Sequence, residues 1–405
     1  MATTMSCDAL EQRLLKLEQP DIPCTELVDV LNELAHGLID VDPQRAQTLV
    51  HRAQWLAAQL KYPQGEVRSL TLLSWLHLLA GHPDRALVRA LHAEAIARRV
   101  KDDPLESRAL YMTALVHDHV GHFEEAIKAR HRMIGIAREL NDAILEANCL
   151  MAMGTQHTKR HAPQQALDCY EAALKLYESR DPIQANAARN NIATALIDLG
   201  RAAEGLRIAE TALLNCDPKN LRHYTWILHT IGCARASMQA HDLAVGQYAT
   251  ALFMIDQADR VGQAIDKAFQ VTLLLDLARA YAASPQTAMA FSSLERALHI
   301  GTAIDAKPIL IEIHNLLCQL YQAQRSPGLA LVHAEQREAL KAMTRRTQSD
   351  QFDRVLKVMA VVRAARDRIQ QANVDAVMHQ ASDDVSAHPT RLTAREQSAL
   401  RSKGL

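Results

Sequence analysis

Aromatic residues make up only 4% of the 405-residue chain, and there are 14 glycines. A single compact core would be stretched at this length, whereas a solenoid grows by addition. The seven cysteines include no C-x-x-C pair, which reads as reduced thiols in a cytoplasmic protein rather than a disulfide framework or a zinc ribbon. Acidic and basic residues are nearly balanced, 46 to 45. A net charge of −1 gives no reason to expect nucleic acid or a membrane surface as partner. No run reaches about 18 apolar residues, and Met1 to Leu10 holds no apolar core of an export signal. Gly-rich phosphate loops, G-x-S-x-G and H-E-x-x-H are all absent. No set of acid, base and nucleophile is spaced for catalysis, so no enzyme and no cofactor is expected.

What is present is periodic. Ala recurs at Ala46, Ala86, Ala126 and Ala166, then the column continues as Gly205, Ala244, Ala290 and Ala330. The steps are 40, 40, 40, 39, 39, 46 and 40 residues. Seven residues on, a second column reads Ala53, Ala93, Met133, Ala173, Ala212, Ala251, Ala297 and Arg337. Twelve residues before the first lies a third: Leu34, Ser74, Ala114, Gly154, Ala193, Gly232, Ala278 and Cys318. Antiparallel helices approach to about 8–10 Å only where the facing side chains are short. Mostly small residues in three columns at a fixed period therefore predict a stack of helical hairpins, closed at turns such as Gly121 where glycine takes positive φ.

The pattern resembles the tetratricopeptide (TPR) repeat. Ala-Leu follows the turn at Ala86-Leu87, Ala166-Leu167 and Ala330-Leu331, and recurs seven residues later at Ala173-Leu174, Ala212-Leu213, Ala251-Leu252 and Ala297-Leu298. The units are about 40 residues rather than 34, as in the longer variants of bacterial regulators. The family tyrosine survives at Tyr281 and Tyr321 and is histidine at His77, His117 and His157. The resemblance covers about four fifths of the chain. It implies an all-α, right-handed α-α superhelix of about eight hairpins.

The expected organisation is an N-terminal capping helix within 1–24, the repeat array over 25–345, a long helix over 346–381, and a polar, disordered tail over 382–405. Asp before Pro at Asp103, Asp181 and Asp217 is expected to cap first helices. The 46-residue step is expected to lengthen either the exit of the sixth unit or the first helix of the seventh. Phe352, Val355, Met359, Val362, Arg366, Ile369 and Asn373 follow heptad spacing, so 346–381 is read either as a coiled coil joining two copies or as a helix folded back on the last repeat. In the tail, Leu392-Thr393-Ala394-Arg395-Glu396 is similar to the opening of a LuxR-type helix-turn-helix. Gln380 to Leu392 is similar to the junction before GGDEF domains. The output domain that would follow either is not expected here.

Histidines form the one cluster to weigh as a metal site. His117-Asp118-His119 with His122, and the pair His157 and His161, are weighed between a metal site, a pH-sensitive contact and a structural role with one ring nitrogen bonded to backbone; the last is preferred and no metal is assigned. The resemblance implies that first helices line a concave groove and that set positions on them touch the ligand. Carried onto this sequence, those positions give Arg68, Trp75, Arg108, Tyr111, Asn148, Thr155, Lys159, Asn190, Thr194, Trp226, His229 and Asn315. Arginine suits a carboxylate, asparagine suits a peptide bond, and Trp and Tyr offer apolar anchors. The function expected is a non-catalytic scaffold for a peptide or protein segment, within a bacterial signalling or transcriptional regulator. The alternative is a dimerising adaptor working through 346–381 with no groove ligand.

Overall fold

The computed structural model describes residues 6–18, 24–39, 41–260, 266–284 and 286–387, with side chains to 364. Among the described residues there are seventeen helices and no strand. Helix α1 (Cys7–Glu18) precedes the first hairpin, α2 (Thr25–Leu38) with α3 (Pro43–Gln59). Next come α4 (Pro63–Leu79) with α5 (Pro83–Val100), and α6 (Asp103–Val120) with α7 (Phe123–Glu139). Then follow α8 (Ala143–Lys159) with α9 (Pro163–Tyr177), and α10 (Pro182–Asp198) with α11 (Ala202–Leu214). The last three hairpins are α12 (Leu221–Ser237) with α13 (His241–Arg260), α14 (Lys267–Ala282) with α15 (Thr287–Ala303), and α16 (Lys307–Ala323) with the start of α17 (Pro327–Ala387). The chain divides into two compact units, Met1–Phe352 and Asp353–Leu405.

Within the first unit each helix packs on the next, and first helices of successive hairpins also touch: α2 on α4, α4 on α6, α10 on α12, α12 on α14, α14 on α16. They form the inner layer. The small-residue columns are where the two helices of a hairpin cross. Ala46, Ala86, Ala126, Ala166, Ala244 and Ala290 are fully buried, as are Ala53, Ala93, Ala173, Ala212, Ala251 and Ala297. In the third column Ser74 Oγ donates to the Ala86 carbonyl at 2.8 Å. Where that column holds Gly154 or Gly232, the second helix sends in a tyrosine. A Cβ at Gly154 would lie 2.5 Å from the Tyr170 ring, and one at Gly232 2.3 Å from the Tyr248 ring. Volume removed from one helix is filled by the other, as native packing density requires.

Among the described residues, six of the hairpin turns hold one left-handed residue five positions before the Ala column. Gly81, Gly121 and Gly200 supply it at φ 73°, 80° and 77°, while His161, Gln239 and Arg325 take the same region with a side chain. Asp42, Asp102, Asp142, Asp181 and Asn220 cap helix N-termini through their side chains. Two of the expected caps are thereby shifted. The α6 cap is Asp102 rather than Asp103, and Asn220 caps α12, because Asp217-Pro218 lies in the preceding turn.

The long step lengthens the sixth hairpin's exit: α13 has 20 residues, against 13–18 in α3, α5, α7, α9, α11 and α15, whereas α14 has only 16. Helix α1 lies on α2, with Leu10 and Leu14 buried in the same apolar cluster as Leu27 and Leu31. Helix α17 continues past residue 381 to Ala387, and the rest of the expected tail lies outside the described residues. So do the side chains of Arg366, Ile369 and Asn373 in the expected seam.

This packing gives the same substitution opposite signs at two glycines. A Cβ at Gly205 would lie 2.8 Å from the Ala193 carbonyl oxygen, which is backbone and cannot turn aside, whereas Gly135 in α7 faces open space. Gly205→Ala should therefore cost about 1–3 kcal/mol. Gly135→Ala should add roughly 0.5–1 kcal/mol, by removing unfolded-state freedom from a helix interior. Urea midpoints of the two variants that move the same way would contradict the crossing geometry.

Candidate functional site

The inner layer carries a cleft of about 540 Å³ lined by His36, Ile39, Arg68, Thr71, Leu72, Trp75, Arg108, Tyr111 and Met112, contributed by α2 and the residue that follows it, α4 and α6. Residues forty apart in sequence meet here because α4 and α6 stack in register. Arg68 Nη1 lies 3.4 Å from Glu33 Oε1, a long contact with both groups partly in solvent. Arg108 has no carboxylate partner among the described residues. Partial burial against the wall, and then the charge of Arg68, lower the pKa of Arg108. Two cations that repel each other therefore face one cleft, and one of them lacks an acid. Trp75 is half-buried and Tyr111 is 52% exposed, so a flat apolar surface adjoins the charge.

A second cleft of about 360 Å³ shares Tyr111 and continues through Leu115, His119, Thr155 and Lys159. Asp118 and Arg130 lie on its wall and are locked to each other. Arg130 Nη1 donates to Asp118 Oδ1 at 3.1 Å, Nη2 binds Oδ2, and both side chains are 8% exposed. Asp118 is thus unavailable to the metal set weighed at His117 and His119. A third cleft, of about 450 Å³, lies between Asp118, His119, Phe123 and Lys159 on one side and Gln348, Ser349, Gln351 and Phe352 of α17 on the other. The Phe352 ring meets His122 edge-on at 4.3 Å. The first residue of the expected heptad seam is engaged within its own chain.

The remaining expected groove residues are not gathered with these. Asn148 Oδ1 accepts a 2.6 Å bond from the Tyr177 hydroxyl, and Asn315 Oδ1 accepts one at 2.6 Å from Arg337. Both asparagines spend their acceptor on a side chain of a second helix. Asn190 Oδ1 is buried without a partner among the described residues, and Thr194 is bonded to the Asn190 carbonyl. Trp226 is covered on one face by the Arg222 guanidinium at 4.8 Å and met edge-on by Phe269 at 5.9 Å.

His229 belongs to a cluster of its own. Its Nε2 is 2.8 Å from Asp276 Oδ2 and 3.5 Å from Cys233 Sγ. Burial pushes its pKa down, but Cys233 and Asp276 outweigh this and raise it to about 10. Cys233 and Asp276 were not read from the sequence. Cys233 stands one turn after His229 on the same helix face, which is the signal that could have found it.

The histidine column behaves differently. His117 is 5% exposed and burial holds its pKa at about 4; burial also lowers His77 and His157. Nδ1 of His117 and of His157, and both ring nitrogens of His122, are buried without a partner among the described residues. The bond from one ring nitrogen to backbone expected at His117 and His157 is not formed among the described residues.

No protein-family model matches this sequence, and no curated protein matches it. Solved structures do match in fold. A Rap protein complexed with competence and sporulation factor is 14% identical with a TM-score of 0.57, covering 85% of this chain and 94% of that one. The apo form of the quorum sensor NprR from B. thuringiensis is 13% identical with a TM-score of 0.57, covering 83% and 97%. The apo form of RapI is 13% identical with a TM-score of 0.57, covering 69% and 99%. At such identities the likeness is one of fold. Among the described residues no helix is long and apolar enough to cross a membrane.

Proposed function

We propose that this TPR-like solenoid is a non-catalytic scaffold that binds an extended peptide or protein segment along its inner layer, as the sensory part of a bacterial regulator. The observation that carries the reading is the pair Arg68 and Arg108 in one cleft beside Trp75 and Tyr111, with Arg108 lacking an acid of its own. Such a pocket suits a carboxylate, from an acidic side chain or a chain terminus, followed by an apolar or aromatic side chain. The adjoining cleft with Thr155 and Lys159 extends the track for several residues of ligand. Support by likeness comes from the Rap protein solved with competence and sporulation factor and from the quorum sensor NprR, which share this fold.

The test uses arrays of short random peptides, one set carrying a carboxylate and a matched set with that group amidated. Binding should concentrate on the acidic set. A charge-assisted bond contributes about 1.5–3 kcal/mol, so Arg108→Ala should weaken the best acidic peptides about tenfold or more while leaving the melting curve unchanged. The loss should shrink at high salt, where screening has already removed part of the charge attraction. Equal binding of the two sets, or an Arg108→Ala variant that binds as the parent does, would mean that the cleft holds no acidic ligand.

A further inference from the structure

The geometry points to a zinc-class divalent metal site formed by His229, Cys233 and Asp276. His229 and Cys233 are four residues apart on α12, so their side chains leave the same face one turn apart. Asp276 comes from α14, which packs against α12 as the next first helix. Their donor atoms, Nε2, Sγ and one carboxylate oxygen, all lie within 4.8 Å of one another, the one such group of three among the described residues.

The Nε2–Sγ spacing suits a shared ion as well as a hydrogen bond. With a zinc–nitrogen bond of about 2.0–2.1 Å and a zinc–sulfur bond of about 2.3 Å, tetrahedral angles place N and S about 3.5 Å apart. Nε2 and Sγ are 3.5 Å apart here. The same arithmetic places N and O about 3.3 Å apart, so the 2.8 Å between Nε2 and Asp276 Oδ2 would open by about half an ångström as the ion replaces the shared proton.

The surroundings orient each donor. Arg279 Nη1 holds Asp276 Oδ1 at 2.8 Å and is itself paired with Glu312, which leaves Oδ2 turned to His229. The buried Tyr248 hydroxyl donates to Cys233 Sγ at 3.4 Å. Phe269 stands edge-on to the His229 ring at 5.6 Å and walls one side with hydrocarbon. Outer partners of this kind fix ligand orientation in metal centres. A His–Asp pair alone would need neither a thiol one turn away nor a tyrosine directed at that thiol.

The donor set selects the metal. Nitrogen, sulfur and oxygen together suit zinc and its borderline neighbours, not magnesium or calcium, which take oxygen. Three protein donors leave a fourth position for solvent or a group of a bound molecule. The site shares only His229 with the groove residues expected from the sequence, and it stands whether or not the arginine cleft binds peptide.

Cobalt(II) is the probe. Added to the untagged full chain, one equivalent should give thiolate-to-cobalt charge-transfer absorption and the intense visible bands of tetrahedral cobalt, and zinc should displace it. Cys233→Ala should abolish the charge-transfer band, and Asp276→Asn should weaken binding tenfold or more. Because the chain has 19 histidines and six further cysteines, the same band in Cys233→Ala would place the ion elsewhere and overturn the assignment. So would the absence of any thiolate band in the parent. Cys233→Ser, checked by circular dichroism, covers the case in which the alanine variant does not fold. A melting temperature raised by zinc in the parent but not in His229→Gln gives an independent reading.

Discussion

Taking the protein from pH 7 to about pH 4.5 should lower its unfolding midpoint in urea steeply, well before most carboxylates titrate. His117 carries the largest part. Its native pKa is about 4 because burial disfavours the imidazolium and His122 adds to this, against a smaller opposing pull from Glu125. In the unfolded chain the ring titrates near 6.5. Between these values the unfolded state binds a proton that the native state does not, so stability falls as pH falls. The full contribution is present above about pH 6.5, and by pH 4 roughly 3 kcal/mol has been lost from this residue alone. His77, His122, His157, His314 and His333 are shifted in the same direction by burial. His229 runs the other way: its raised pKa makes it stabilising through the acid range, with loss only as pH climbs toward about 10. Glu106, held low by Arg132 and Arg98, loses its contribution only below the ordinary carboxylate range. His117→Gln should therefore flatten the profile between pH 6.5 and 4 by up to about 3 kcal/mol. A parent midpoint that is the same at pH 5 and pH 7.5 would mean that the column is hydrated rather than buried.

The repeat was legible because steric need at a helix crossing leaves few residue choices, and the columns from Ala46 to Ala330 record it directly. Less legible was how one helix compensates the other. Gly154 with Tyr170, and Gly232 with Tyr248, are exchanges of volume between columns, and reading each column separately hides them. Caps were misplaced where two acceptable residues lay close together, as at Asp102 and Asp103. The site divided along a similar line. Arg68, Trp75, Arg108 and Tyr111 meet because stacking alone brings successive first helices together. Asn148 aligns with Arg108 and Asn315 with Tyr111, but they are taken up by Tyr177 and Arg337, and position along a first helix says nothing about the reach of a second-helix side chain. The grouping of His229 with Cys233 and Asp276 was hidden in the sequence for the same reason. Asp118 looked free beside His117 and His119, while Asp276, which completes the set at His229, is 47 residues away on the next first helix.

Asp118→Ala should be among the most damaging single substitutions in the array, at about 3–5 kcal/mol, because it strands the Arg130 guanidinium where water cannot replace the lost carboxylate. Arg130 occupies the position on α7 that Tyr170 and Tyr248 occupy on α9 and α13, four residues after the Ala column. The residue opposite is Ala114 rather than glycine, so a ring does not fit, and a linear stem runs past the crossing instead. Its charge then needs a partner one turn further along α6, and Asp118, four residues after Ala114, supplies it with both oxygens. Two desolvated charges in good geometry contribute little net stability, yet removing either one leaves the other's desolvation uncompensated. The double variant Asp118→Ala with Arg130→Met keeps the stem and removes both charges. It should recover most of the loss, and could exceed the parent. A double-mutant cycle in urea reads both effects at once. An Asp118→Ala variant within about 1 kcal/mol of the parent, the scale of an exposed pair, would show that water reaches Arg130. The wall of the cleft beside Lys159 would then be open at the point where the structure closes it.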